Sequence, residues 1–184
     1  MVKRSQQFLL SIWVLGTLVG LSIAVILARF LGEAIARMMD EPALFFIPWG
    51  FVVVNGGVPG GTLGLIQWLI LRQYVPQAWR WVLASLVGWL AIAFVAFGAS
   101  ESLIFLGLPF VVGGAVLGTA QWLVLRQAFA KAGWWLLATI MGLVIGWPVV
   151  WFTGFGLVGL TIGGAVYAVI TGLVLVWLLR HPVS

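Results

Sequence analysis

From Phe8 to Arg180 the chain runs in long apolar stretches separated by short polar punctuation. The stretches are continuously apolar and lack the every-second-residue alternation of a membrane barrel strand. Each is close to the ~20 residues that a helix needs to cross a hydrocarbon core. The pattern predicts six helical spans, near 8–30, 48–72, 79–97, 103–126, 134–153 and 157–180. The first follows Lys3 and Arg4 in the manner of a signal peptide, but its apolar run continues to about Leu27, beyond a usual signal core. It also matches later segments, so we read it as a retained span.

Those matches form an internal repeat. The stretches WVLGTLVG (13–20), WVLASLVG (81–88) and WLLATIMG (135–142) align without gaps. Gly64, Gly118 and Gly172 follow one another at intervals of 54, and so do Arg72, Arg126 and Arg180. The chain reads as one transmembrane domain over 1–184, made of three tandem two-helix hairpins at 8–74, 75–128 and 129–182, with about 14 extra residues after the first helix. An even number of spans per hairpin sends all three into the membrane in the same direction, around an axis along the membrane normal. The expected architecture is therefore an all-α integral membrane protein, a pseudo-threefold bundle of six helices.

Small residues mark where these helices should touch. Gly16 and Gly20, Ala84 and Gly88, and Ala138 and Gly142 stand four apart in the odd spans; Gly60 and Gly64, Gly114 and Gly118, and Ala168 and Gly172 do so in the even spans. Apolar burial hardly drives helices together in lipid, so close backbone approach at small residues must do it. The even spans also carry a polar interruption, GLIQWLILRQ (64–73) and GTAQWLVLRQ (118–127). Gln67 and Gln121 lie about 7–8 Å inside the arginine that follows, where water is scarce and an amide needs partners. Either each makes an interhelical hydrogen bond, or both face one cavity and hold a ligand. The third hairpin has Leu175 at this place.

The pattern G-x-x-Q-W-L-x-L-R resembles a loose set of uncharacterised bacterial membrane proteins, seen particularly among photosynthetic bacteria. The resemblance covers the first two hairpins well and the third poorly. It implies repeated helical hairpins and brings no activity or catalytic residue with it.

Composition agrees with the hydropathy. Only 7% of residues are charged against 64% hydrophobic, with a mean hydropathy of +1.22; a soluble domain carries about 25% charged residues. Having no cysteine, the chain has no disulfide and no thiolate chemistry. The net charge of +5 comes from cations placed singly at span ends, so nucleic acid is not an expected partner. Lys3, Arg4, Arg72, Arg80, Arg126, Lys131 and Arg180 fall on one side; Glu33, Asp40, Glu41 and Glu101 fall on the other. The positive-inside rule then places both termini in the cytoplasm, in a bacterial-type inner or thylakoid membrane. Trp13, Trp68, Trp79, Trp81, Trp122, Trp134, Trp135 and Trp177 lie toward the same face, as an interfacial aromatic belt would.

Reactive chemistry is sparse. GFGLVG (154–159) spells G-x-G-x-x-G, but apolar spans flank it and no acidic residue follows, so it reads as a turn. His181 is the only histidine, and Arg29, Glu33 and Arg37 form an expected surface ion ladder. No catalytic residue, metal site or required cofactor is predicted. Helix breakers concentrate in the outer halves: Pro48, NGGVPGG (55–61), Pro109 and Pro148. These breakers read either as kinks and tight turns packed against neighbouring helices, or, with Asn55 and the glycines after it breaking span two into half-helices, as the lining of an outward cavity. Phe45, Phe46, Trp49, Phe105, Phe110, Trp147 and Trp151 would give it aromatic walls. The expected role is a non-enzymatic accessory or scaffold subunit of a membrane complex. Its partners would be membrane lipid and other membrane subunits, and it would hold lipid or pigment, with Gln67, Gln121, Asn55 and His181 available as axial ligands to a chlorin. The alternative is a small-molecule transporter, or a membrane-embedded substrate-binding component with an outward aromatic pocket.

Overall fold

A backbone surrounded by hydrocarbon must satisfy its own N–H and C=O groups, and a helix does this within one segment. The computed structural model describes residues 2–38, 47–105, 107–154 and 156–183. Its helices are α1 (Val2–Met38), α2 (Ile47–Val52), a π-helical turn (Val53–Gly57), α3 (Val58–Leu71), α4 (Arg80–Gly98), α5 (Glu101–Phe105), α6 (Leu108–Leu125), α7 (Gly133–Thr153) and α8 (Leu157–Leu178). Six segments are long and apolar enough to cross a membrane, with α2, the π turn and α3 counting as one. Only 33–44% of the most apolar window of each span is buried within the protein. The remainder, including Phe8, Phe30, Phe94 and Phe152, forms an exposed apolar periphery far beyond what a soluble monomer presents. The chain is a multi-pass membrane protein.

The six spans touch in chain order: α1 packs on α3, α3 on α4, α4 on α6, α6 on α7, α7 on α8, and α8 returns to α1. Neighbours run antiparallel. On α1, Gly16 faces Ile70 and Gly20 faces Leu63; on α8, Gly164 faces Leu21 and Gly172 faces Trp13. The result is a closed ring with both ends of the described chain on one side.

Glycine sets how closely the ring draws together. A Cβ at Gly60 would stand 2.8 Å from the Leu86 Cα, one at Gly118 2.8 Å from Leu136, and one at Gly88 2.5 Å from the Leu117 Cα. All nine predicted glycines face the span that follows their own in the ring: Gly16, Gly20, Gly88 and Gly142 on α3, α6 and α8, and Gly60, Gly64, Gly114, Gly118 and Gly172 on α4, α7 and α1. Ala84, Ala138 and Ala168 are buried beside them.

Four features differ from expectation. The first helix does not end near 30 but continues to Met38. Asn55, Gly56 and Gly57 do not break the second span: a π turn carries the helix through, and the residues at both its ends keep right-handed helical geometry. A π turn absorbs an extra residue without ending the helix. Gly56 fits there because a Cβ would meet the Leu90 Cα and the Trp89 carbonyl at 2.8 Å. The fourth span begins at Leu108, not 103, because Gly107 takes a left-handed φ of 75° and Pro109 lies in the first turn of α6. Finally, Trp13, Trp81 and Trp135 are fully buried and form no part of an interfacial belt. Each lies on the same helix face as the small residues three, four and seven positions later, which turns it inward.

Gly88→Leu is expected to drive α4 and α6 apart and to lower the thermal midpoint in detergent by many degrees, as overpacking of a tight seam does. An unchanged midpoint would remove this seam from the account.

Candidate functional site: an outer chamber above a tryptophan plug

Trp13, Trp81 and Trp135 meet edge-to-face on the ring axis, with centroid separations of 6.2, 5.7 and 5.3 Å. Each ring brings an indole N–H into a place without water, and an unmet buried donor costs about 1–3 kcal/mol. Neighbouring spans supply the acceptors. The Trp81 Nε1 donates to Gln67 Oε1 at 3.0 Å, and the Trp135 Nε1 donates to Gln121 Oε1 at 2.9 Å. The other ends of the amides are used as well: Gln67 Nε2 donates to Thr17 Oγ1 at 3.2 Å, and Gln121 Nε2 to Ser85 Oγ at 3.1 Å. Each glutamine therefore ties three spans together, α1–α3–α4 in one case and α4–α6–α7 in the other.

Leu175 changes the third corner. Without an amide there, the Trp13 Nε1 donates one turn away, to Thr171 Oγ1 at 3.1 Å. Thr139, placed on α7 as Thr17 and Ser85 are on α1 and α4, keeps a fully buried hydroxyl with no partner. Thr17, Ser85 and Thr139 were not singled out in the sequence. Their signal was present as Trp-x-x-small-Ser/Thr-x-x-Gly, one stripe of a helix written three times.

Above the plug lies a chamber of about 910 Å³, lined by residues of all six spans and of α5. It reaches from Leu21 and Ile92 up to Arg29 and Gly32 on α1, Glu101 at the start of α5 and Gly156 just before α8. Asn55, Phe110, Trp147 and Trp151 line it, as expected from the sequence. Trp49 does not line it and stands exposed on the periphery. Gln67 and Gln121 do not line it either, since both are buried in the network below. Phe45, Phe46, Asp40 and Glu41 lie outside the described residues, as do the side chains of Pro48 and Phe105.

The aromatic wall is a connected set. Phe110 and Trp147 stack at 4.4 Å with an interplanar angle of 31°, and Trp147 meets Trp151 at 5.7 Å. The Trp147 Nε1 donates to the Ile104 carbonyl at 2.9 Å, pinning the α5 loop over the wall. Gly107 completes the approach, since its left-handed turn sets the loop backbone against the Trp147 ring. Asn55 lines the chamber while its amide nitrogen donates to the Phe51 carbonyl at 3.0 Å.

Charge enters only at the mouth. The expected ladder forms only on its far side: Glu33 pairs with Arg37 at 3.6 Å, the only ion pair among the described residues. Glutamate placed N-terminal to its cation is the favoured order on a helix, and Arg29 instead lines the chamber along with Glu101. At the opposite end, Arg72, Arg80 and Arg126 lie over Trp68, Trp79 and Trp122, and Lys131 over Trp177. His181 stacks on Trp177 at 4.4 Å, and the Phe129–Pro182 bridge folds the terminal residues over the α6–α7 loop. Among the described residues no group of three metal-ligating side chains comes together. Among the described residues the chamber thus offers apolar and indole surface, one amide, one guanidinium and one carboxylate.

Comparison with protein-family models, with curated proteins and with solved structures finds no match.

Two substitutions test the network. Gln67→Leu strands the Trp81 N–H and the Thr17 hydroxyl and is expected to cost about 1–3 kcal/mol. Leu175→Gln supplies the third amide between Thr139 and Trp13 and is expected to add about 0.6 kcal/mol, the usual size of an interhelical bond in a membrane. Denaturant unfolding in one detergent measures both, and equal destabilisation by the two would contradict the assignment.

Proposed function

We propose that this protein is a membrane-embedded binding protein that holds a small, largely apolar ligand in the chamber above its tryptophan plug. The observation that carries this reading is the chamber itself. At about 910 Å³ it falls near the top of the ~300–1,000 Å³ range of small-molecule sites, and its few polar groups among apolar and aromatic walls suit such a site. The plug favours binding over conduction: the three indoles fill the axis below, and their N–H groups are all engaged.

On this reading the ring is three two-helix hairpins around a pseudo-threefold axis. The sequence repeat supports it, as does the arrival of one tryptophan from each hairpin at the plug. The cationic end faces the cytoplasm by the positive-inside rule, and the chamber opens on the other side of the membrane. A role in binding without catalysis fits a lining that, among the described residues, brings together no nucleophile and base. An exposed apolar periphery serves lipid and partner subunits alike, so it does not favour the accessory-subunit role over this one.

Native mass spectrometry from lipid nanodiscs tests the proposal. The expected result is a bound small mass on the wild-type chain that disappears in Ala96→Trp, where a large ring enters the chamber, while the protein elutes unchanged on gel filtration. A bare chain in both cases would contradict it.

A further inference from the structure

Arg29 and Glu101 both line the chamber, and no ion pair joins them. Arg29 stands as far beyond Trp13 on α1 as Trp151 stands beyond Trp135 on α7, two residues before α7 ends at Thr153. From Arg29 to Leu21 at the base of the lining is about 12 Å along the helix. The wall includes Val25, Ile92, Phe110 and Trp147, and the one uncharged amide in the lining, Asn55, already donates to the Phe51 carbonyl. The chamber therefore has two parts, a deep, largely apolar slot and a mouth that, among the described residues, carries one cation and one anion.

From this arrangement we propose that the ligand is a single-chain zwitterionic amphiphile, with a phosphate on Arg29, an ammonium on Glu101 and its acyl chain running down toward Leu21. The inference rests on the chamber reading above and narrows its ligand class. The argument is charge complementarity. An anionic head would pair Arg29 and leave Glu101 unanswered, and a cationic head would do the reverse. A neutral head would cover both side chains without pairing either, and charges deprived of water need a partner. A head with both charges meets both. Arginine also suits the phosphate, since its planar fork donates two parallel bonds to a tetrahedral oxyanion. The small-molecule size of the chamber favours one chain over two.

The test is a titration of the full chain, in a non-ionic detergent, with three probes of matched acyl length: lysophosphatidylethanolamine, lysophosphatidylglycerol and a monoacylglycerol. The zwitterion is expected to bind about tenfold tighter than the other two, the size of one charge-assisted hydrogen bond. Arg29→Gln and Glu101→Gln are exposed changes that leave the ring intact, which an unchanged melting curve verifies. Each should remove the preference, and in opposite senses: Glu101→Gln should improve binding of the anionic probe, and Arg29→Gln should weaken it further. Equal binding of all three probes, unmoved by either substitution, overturns the zwitterion assignment and leaves the chamber standing. Failure of all three to bind, with Ala96→Trp indistinguishable from wild type, overturns the chamber reading itself.

Discussion

An indole N–H has nowhere to go in the middle of a membrane except to another part of the same protein, and this ring brings three of them to one axis. The tryptophans are useful there because their rings fill the axis and meet edge-to-face, each pair contributing about 0.5–1.5 kcal/mol beyond burial. Their donors are what make the arrangement specific. Gln67 and Gln121 can each accept an indole N–H from the next span only if they are also close enough to donate to the hydroxyl of the preceding one. Both conditions fix the rotation of three helices at once, which packing of smooth apolar surfaces leaves loose. Glycines at the seams supply the closeness that the hydrogen bonds require; at Gly64, a Cβ would come within 3.0 Å of the Ser85 Cβ.

The division between plug and chamber follows from the same geometry. On the basic side, large rings and short loops converge, and Val75, Phe129 and the buried tryptophans form one apolar core. On the other side the inward positions are Ala24, Ala93 and Ala96 on their spans, and these small side chains leave the axis open. The walls there are held by local devices: the π turn that carries Asn55 past Gly56, and the Trp147 hydrogen bond that fastens the α5 loop. A rigid floor below a locally built mouth suits a site whose polar contacts lie at its rim.

Much of this was legible in the chain. Hydropathy placed six spans, because apolar length alone fixes membrane crossing, and missed by more than a few residues only at the end of the first, which runs on to Met38, and at the start of the fourth, Leu108. The interval of 54 residues singled out Gln67 and Gln121, and the breaker-rich outer halves pointed to Asn55, Phe110, Trp147 and Trp151. What was not legible depended on helix phase and on neighbours. Trp79 and Trp81 are two residues apart, yet one is exposed and the other fully buried. Distance along the chain gives the same membrane depth for both, and only the small-residue stripe separates them. Asn55-Gly-Gly signals a weak helix, but whether it ends or widens depends on α4 packing against Gly56. The exchange of Glu33 from Arg29 to Arg37, which leaves Arg29 to the chamber, is likewise decided by side-chain direction and not by spacing.

The central claim is that the ring closes, with α8 returning to α1 around the plug. The chain has no cysteine, so a single introduced pair reads this contact without background. A Cβ at Gly164 would lie 3.5 Å from the Leu21 Cγ, the place that the sulfur of Leu21→Cys would take, so a disulfide can close there with little backbone movement. Leu21→Cys with Gly164→Cys should therefore cross-link under mild oxidation in native membranes, and Leu15→Cys, on the outer face of α1, should not join Gly164→Cys. A cross-link in the first pair alone is the result the closed ring predicts. No cross-link, or equal cross-linking of both pairs, would contradict it.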